Sequence, residues 1–202
     1  MENYAKKIAI EHKVTGKATF ETFPKRILIE DFKIITIANQ ILNECIQLDV
    51  TIPPSGEWLL DNFYLIEEQV NSVKNELKEN EYIKLPAVNK TARCFLLAQE
   101  LVKFTDGNIT TDNIQIFLNA YQTKRVMEMR EIWMFPIMLK IALVQYIRKI
   151  CERIIVAQYQ KLKVESLVER LVKKVPSNEQ KFNRYKNLEV DSEATSSVEH
   201  LT

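Results

Sequence analysis

Glu57, Asp61 and Glu68 fall four and seven positions apart in the stretch PSGEWLLDNFYLIEEQV (54–70), with Tyr64 between them. On a helix this spacing lines them along one side. Carboxyls one turn apart approach to about 5–9 Å, the separation glycosidases use. Those enzymes also need a sugar-sized cleft, which a straight helical ridge does not supply, and acids in a first turn are favoured by the helix dipole in any case. The row therefore reads as a docking or helix-bridging stripe, with a solvated edge as the plainer alternative. Arg93, Arg125 and Arg130 are the expected partners, because a planar guanidinium suits a partly buried carboxylate.

Other chemistries are poorly supplied. Cys45, Cys94 and Cys151 are odd in number and far apart, which suits reduced, buried thiols in a cytoplasm, and none has a histidine near it in sequence. His12 and His200 lie near opposite ends, so no clustered metal ligands can be written. With three glycines in the whole chain, neither GxGxxG nor GxxxxGK[ST] occurs. No catalytic residue, metal or cofactor is expected. Trp58 and Trp133 could stack on a sugar ring, but in apolar helices they read first as core. Lys161, Lys163, Lys173 and Lys174 are interleaved with Glu165 and Glu169, and the net charge is +1. That is a solvated helix face rather than a nucleic-acid stripe.

The elements that would position these residues are helices. Few glycines, 46% hydrophobic and 27% charged residues describe an all-α domain of about six or seven helices with a polar C-terminal tail. Residues 1–26 read as a short amphipathic helix and an arm broken at Gly16 and Pro24. The helical domain covers 27–175. A first helix runs from Ile27 to about Leu48, and TIPPSG stops it. Ser55 is placed to cap the next helix, in which Leu59, Phe63, Ile66, Val70, Val73 and Leu77 form a narrow core-facing stripe. Trp58, Leu60 and Leu65 make its first half apolar on more than one side, which predicts covering neighbours there.

Further on, 80–89 reads as a connector and 91–104 as a helix. TDGN (105–108) is a turn with glycine in the left-handed position, and 110–122 is a helix with a strong cap signal. Residues 127–175 predict a long helix that kinks or begins at Pro136, with a second break near 158–163. Within it, IWMFPIMLKIALVQYI (132–147) is short for a membrane span, carries Lys140 and is flanked by charges, so it reads as a buried core helix. No export signal is read at the start. Residues 176–202 have few large apolar groups. Their helical pattern restarts only at SSVEHLT, as a linker or the start of a truncated further segment.

Two stretches carry a resemblance. EWLLDNFYLIEEQV (57–70) with YIKLP (82–86), and FTDGNIT, FLNAYQT and EIWMFPIMLKIALVQYIRKICERI within 104–154, resemble the N-terminal cytoplasmic region of bacterial cyclic β-1,2-glucan synthases. In that family a helical region precedes a membrane glycosyltransferase domain, which uses UDP-glucose, and a phosphorylase-like glycoside hydrolase domain. The resemblance is strong over 53–155 and loose elsewhere. Where the family reads Gly-Tyr-Pro-Arg, this chain has Lys90, Thr91, Ala92 and Arg93. Where it reads Gly-Glu-Leu-Trp, this chain has Arg130, Glu131, Ile132 and Trp133.

The resemblance implies a non-catalytic helical domain, cytoplasmic, packing on or positioning the downstream domains of its parent glycosyltransferase. It implies no nucleic acid and no membrane span within this chain, and it leaves room for contact with glucan. Glu57, Asp61, Glu68, Arg93, Glu131, Trp58 and Trp133 are the candidate docking or helix-bridging residues. The alternatives are a stand-alone helical protein-interaction module, or a remnant of such a gene.

Overall fold

Two adjacent prolines decide where one of the principal helices begins. Pro54 occupies its first turn, where the missing N–H costs nothing and the fixed φ is already helical. The expected cap Ser55 and Gly56 therefore lie inside the helix. A computed structural model describes residues 1–171, with the backbone alone at 162 and 164–171. The expectations for residues 172–202 lie outside the described residues, Lys173, Lys174 and His200 among them.

The described chain is all-α apart from one small sheet. Its elements in order are α1 (Glu2–Glu11), β1 (Gly16–Lys17), a 3-10 turn (Phe20–Thr22), α2 (Lys25–Gln47), α3 (Pro54–Glu76) and α4 (Glu79–Tyr82). Then follow β2 (Pro86–Val88), β3 (Thr91–Ala92), α5 (Arg93–Thr105), α6 (Thr111–Gln122) and α7 (Met129–Leu171). Seven helices among the described residues agree with the expected number.

The chain divides into two compact units. The first comprises Met1–Ile35 with Asn62–Lys149. Its core is drawn from every helix it contains, with Leu28, Val70, Val73, Tyr82, Leu97, Leu101, Phe117, Tyr121, Met138 and Ile141 all buried. Helix α1 packs on α6. Tyr4 stacks on Phe104 with ring centroids 4.8 Å apart and donates its hydroxyl to Glu100. At the other end of α1, Arg125 Nε donates to the Ala9 carbonyl at 2.9 Å, satisfying one of the carbonyls a helix end leaves without a partner. Thr110 caps α6 by accepting the Asn113 N–H at 3.1 Å, as its sequence predicts. Asp106 and Gly107 both take left-handed backbone at the TDGN turn, and a Cβ on Gly107 would lie 2.6 Å from the Tyr146 ring.

The second unit comprises Thr36–Asp61 with Ile150–Thr202, of which the described part ends at Leu171. Ala38, Leu42, Cys45, Leu59, Cys151 and Ile154 are its buried apolar residues. Leu42 lies close enough to Gly56 that a Cβ there would meet its Cδ2 at 2.8 Å. Lys161 donates to the Thr51 carbonyl at 3.0 Å.

Three readings are corrected. The connector 80–89 contains a strand: β2 pairs antiparallel with β1 and with β3, Gly16 facing Ala87 and Ala87 facing Ala92. Strands of two or three residues are too short to show an alternating pattern. Helix α7 starts at Met129 and runs through 158–163 without a break, keeping Pro136 inside it. Pro136 removes one hydrogen bond, but the buried neighbours Phe135, Met138 and Leu139 hold the helix around it. Residues 132–147 are also not uniformly buried, because Ile132, Trp133 and Pro136 are exposed.

Candidate functional site

Strand β3 ends where α5 begins, and this junction drives Arg93 into the interior. Its guanidinium meets Glu131, on the first turn of α7. Nε donates to Glu131 Oε1 at 2.8 Å, and Nη2 donates to Glu131 Oε2. The side chains are 4% and 0% exposed. Two backbone groups join the pair: Nη2 also donates to the Val126 carbonyl at 3.1 Å, and the Glu128 N–H donates to Glu131 Oε2 at 2.8 Å. Burial disfavours the charge on Arg93, but hydrogen bonding to Glu131 and its negative charge outweigh this, and the pKa is raised. Such a bidentate pair fixes both planes and leaves few donors unmet.

The neighbouring groups are chemically quiet. Burial, helped by the Glu131 charge, pushes the Cys94 thiol up to about 12, so it stays protonated and unreactive. Burial likewise takes Tyr121 to about 12. Tyr121 Oη lies 3.5 Å from His12 Nδ1. Burial lowers the His12 pKa; Arg93 and Arg125 add to this, while Glu100 and Glu11 oppose it. These groups connect α5, α6 and α7 with the half-buried His12, the residue that follows α1. Among the described residues, no group of three or more His, Cys, Asp or Glu side chains is placed to hold a metal ion.

The pair pins what lies outside it. Val126, Met129, Ile132 and Trp133 are 75, 59, 40 and 73% exposed. Glu131 points inward from the same turn that points Trp133 outward. Reading Trp133 as core is therefore corrected: a helix buried along one face has to expose residues 131's neighbours on the other. Trp58 is also exposed, at 52%, as are Tyr64 and Leu65, while Gly56 and Leu59 are buried, so the first half of α3 is covered along one side rather than on more than one.

Glu57, Asp61 and Glu68 are all exposed on α3. Among the described residues no cation comes within ion-pair range of them. The arginines expected as their partners are engaged elsewhere or point to solvent: Arg93 with Glu131, Arg125 with the Ala9 carbonyl, and Arg130 exposed. The structure thus brings Arg93 and Glu131 together and leaves the acidic row apart from them. The exposed residues Val126, Met129 and Ile132 were missed. For Met129 and Ile132 the signal was present in MREIWMF (129–135), where apolar residues occupy more of the helix circumference than one core face needs.

Fold and site together define a helical protein with a buried ion-pair brace and exposed aromatic side chains. No family model matches the chain. It is 24% identical over 132 residues to cyclic beta-(1,2)-glucan synthase NdvB of Rhizobium meliloti (strain 1021), an alignment covering 63% of this chain and 5% of that protein. The chain therefore spans a small fraction of the relative it matches. Among the described residues, no helix is long and apolar enough to cross a membrane.

Proposed function

We propose that this chain is a non-catalytic helical domain of a cyclic β-1,2-glucan synthase-like membrane glycosyltransferase, cytoplasmic, that packs on or positions the catalytic domains. The similarity to NdvB over 132 residues supports the glucan-synthase origin. The observation that carries the docking role is the exposed row Glu57, Asp61 and Glu68, which runs beside Trp58, Tyr64 and Leu65 on α3 without a cation of its own among the described residues. A face that combines aromatic area with one sign of charge suits a basic, partly apolar counter-surface, and its charges set orientation and encounter rate.

The test is co-purification of the chain with the transferase and hydrolase domains of the synthase from the same genome, expressed as a separate polypeptide. Charge reversal in an Asp61→Lys, Glu68→Lys variant is expected to weaken that assembly, with a salt dependence the wild type shows and the variant has lost. Assembly unchanged by the reversal removes the docking role of α3.

A second reading is a stand-alone helical protein-interaction module. The exposure of Trp58 and Leu65 favours it, because apolar patches of this kind mark contact surfaces. Retention of a protein outside any glucan-synthase locus, lost in Leu65→Ser, distinguishes it from the first.

A further inference from the structure

Of the three glycines in the chain, Gly107 alone follows an aspartate. Asp-Gly is the dipeptide whose backbone most readily attacks its own side chain, because glycine has no Cβ to shield the attacking nitrogen. The Gly107 nitrogen bonds to the Asp106 Cγ, and the carboxyl group loses one oxygen as water, which carries off the N–H hydrogen and the acid proton. The product is a five-membered succinimide. Water then opens the ring at either carbonyl. One opening restores aspartate, and the other leaves isoaspartate, in which the main chain runs through the former side chain.

The fold holds this pair out of the reactive geometry in three ways. Asp106 forms the C-terminal cap of α5 with φ 51° and ψ 41°. Attack needs the Gly107 nitrogen on the same side of the Cα–C bond as the Asp106 Cβ, and at this ψ it stands nearly opposite. The nucleophile is also engaged, since the Gly107 N–H donates to the Val102 carbonyl at 3.0 Å, the closing bond of a Schellman motif. The side chain is engaged from α7, where Tyr146 Oη donates to Asp106 Oδ1 at 2.7 Å. The Tyr146 ring itself lies against Gly107, so close that an added Cβ would meet it at 2.6 Å, and the turn cannot swing through that space while the ring is in place. All of these residues belong to the first compact unit.

We propose that Asp106–Gly107 is a self-modification site, forming succinimide and then isoaspartate whenever the α5 cap opens, and that Tyr146 guards it. Asp106 is exposed, so water reaches the ring to complete the second step. Isoaspartate adds one carbon to the backbone of the turn. The Gly107 N–H then no longer meets the Val102 carbonyl in the same register, and the helix end is left without that partner. The site is independent of the α3 docking role and uses none of its residues.

The experiment is warm incubation of the full chain at neutral pH, followed by peptide mapping with a protease that cuts before aspartate and not before isoaspartate. Folded wild type, wild type unfolded in guanidinium chloride, and Tyr146→Phe are compared. The unfolded chain is expected to accumulate isoaspartate at position 106, and the folded wild type to do so at least about tenfold more slowly, because the reaction then waits on local opening. Tyr146→Phe, with circular dichroism showing the fold retained, is expected to react about fivefold faster than folded wild type, for the loss of one hydrogen bond that holds the closed state. That rise is expected at Asp106 and not at Asp49 or Asp61, which separates release of the guard from general loosening. No isoaspartate at 106 in the unfolded chain, or equal rates in folded and unfolded wild type, would overturn the site. Tyr146→Phe no faster than wild type, or a rise shared equally by Asp49 and Asp61, would overturn the role of Tyr146.

Discussion

Arg93 and Glu131, 38 positions apart, close a bidentate ion pair that is almost wholly withdrawn from water and that also satisfies two backbone groups, the Val126 carbonyl and the Glu128 N–H. One strand–helix junction and one helix start are thereby locked to each other. A pair of this kind contributes little net stability against apolar residues of the same size, because desolvating both charges costs nearly what their attraction returns. Its value here is geometric, since it fixes where the α7 helix begins and which way its first turn faces.

That argument separates single from double substitutions. Glu131→Leu leaves Arg93 buried and unpaired, and Arg93→Leu does the same to Glu131. Each is expected to cost about 3–5 kcal/mol in urea unfolding. Arg93→Met combined with Glu131→Leu is expected to recover at least half of the single-variant loss. Additive costs would show that the two side chains act separately, and the brace would then be the wrong description.

The interior around that pair also makes stability depend on pH through His12. An unfolded histidine titrates near 6.5. In the fold, burial and the nearby Arg93 and Arg125 lower its value, against Glu100 and Glu11. The folded state thus favours the neutral ring, and the unfolded chain takes up the proton first. The His12 contribution is complete above the unfolded value and is lost as pH falls through the folded one. His12→Gln is expected to be less stable than wild type at pH 8, by about 0.5–1.5 kcal/mol for the lost Tyr121 contact. The gap should shrink between pH 7 and pH 5.5. A gap that stays constant in urea titrations across that range would remove His12 as the source.

The helices were legible because their signals are local and repeated. The stripe from Leu59 through Val70 to Val73 states its period several times over, and Thr110 caps α6 with a side chain three positions from its donor. The small sheet was not legible, since β1 and β2 lie some 70 positions apart in sequence and the register is stated by two residue pairs only. The candidate site divides along the same line. That Arg93 and Glu131 bridge helices was readable from their types; that they bridge to each other rather than to the acidic row depends on a long-range fold. The tryptophans misled because an apolar residue in an apolar helix carries no sign of which side is covered.

The hairpin that delivers Arg93 holds a residue the chain tolerates at a cost. Asn89 and Lys90 join β2 to β3 with φ of 49° and 70°. Two successive positive φ values are those of a two-residue type I′ turn, which prefers Asn-Gly. Asn89 fits. Lys90 does not, because its Cβ crowds the backbone in the left-handed region by about 1–2 kcal/mol. The Lys90 ammonium gains little in return, since its partner Glu21 lies 3.4 Å away with both side chains mostly in water. The turn is held instead by main chain: the Lys90 carbonyl accepts from Thr22 Oγ1 at 2.7 Å and from the Thr19 N–H at 3.1 Å, bonds that do not depend on the side chain. Lys90→Gly is therefore expected to stabilise the protein, by about 0.5–1 kcal/mol once the greater freedom of glycine in the unfolded chain is set against the relief of strain. Lys90→Ala, which removes the same ion pair and keeps the Cβ, is expected to show no gain. Thermal and urea unfolding of both variants beside the wild type decides it: a stabilised alanine variant, or a glycine variant no better than wild type, would mean that the left-handed turn at Lys90 carries no strain.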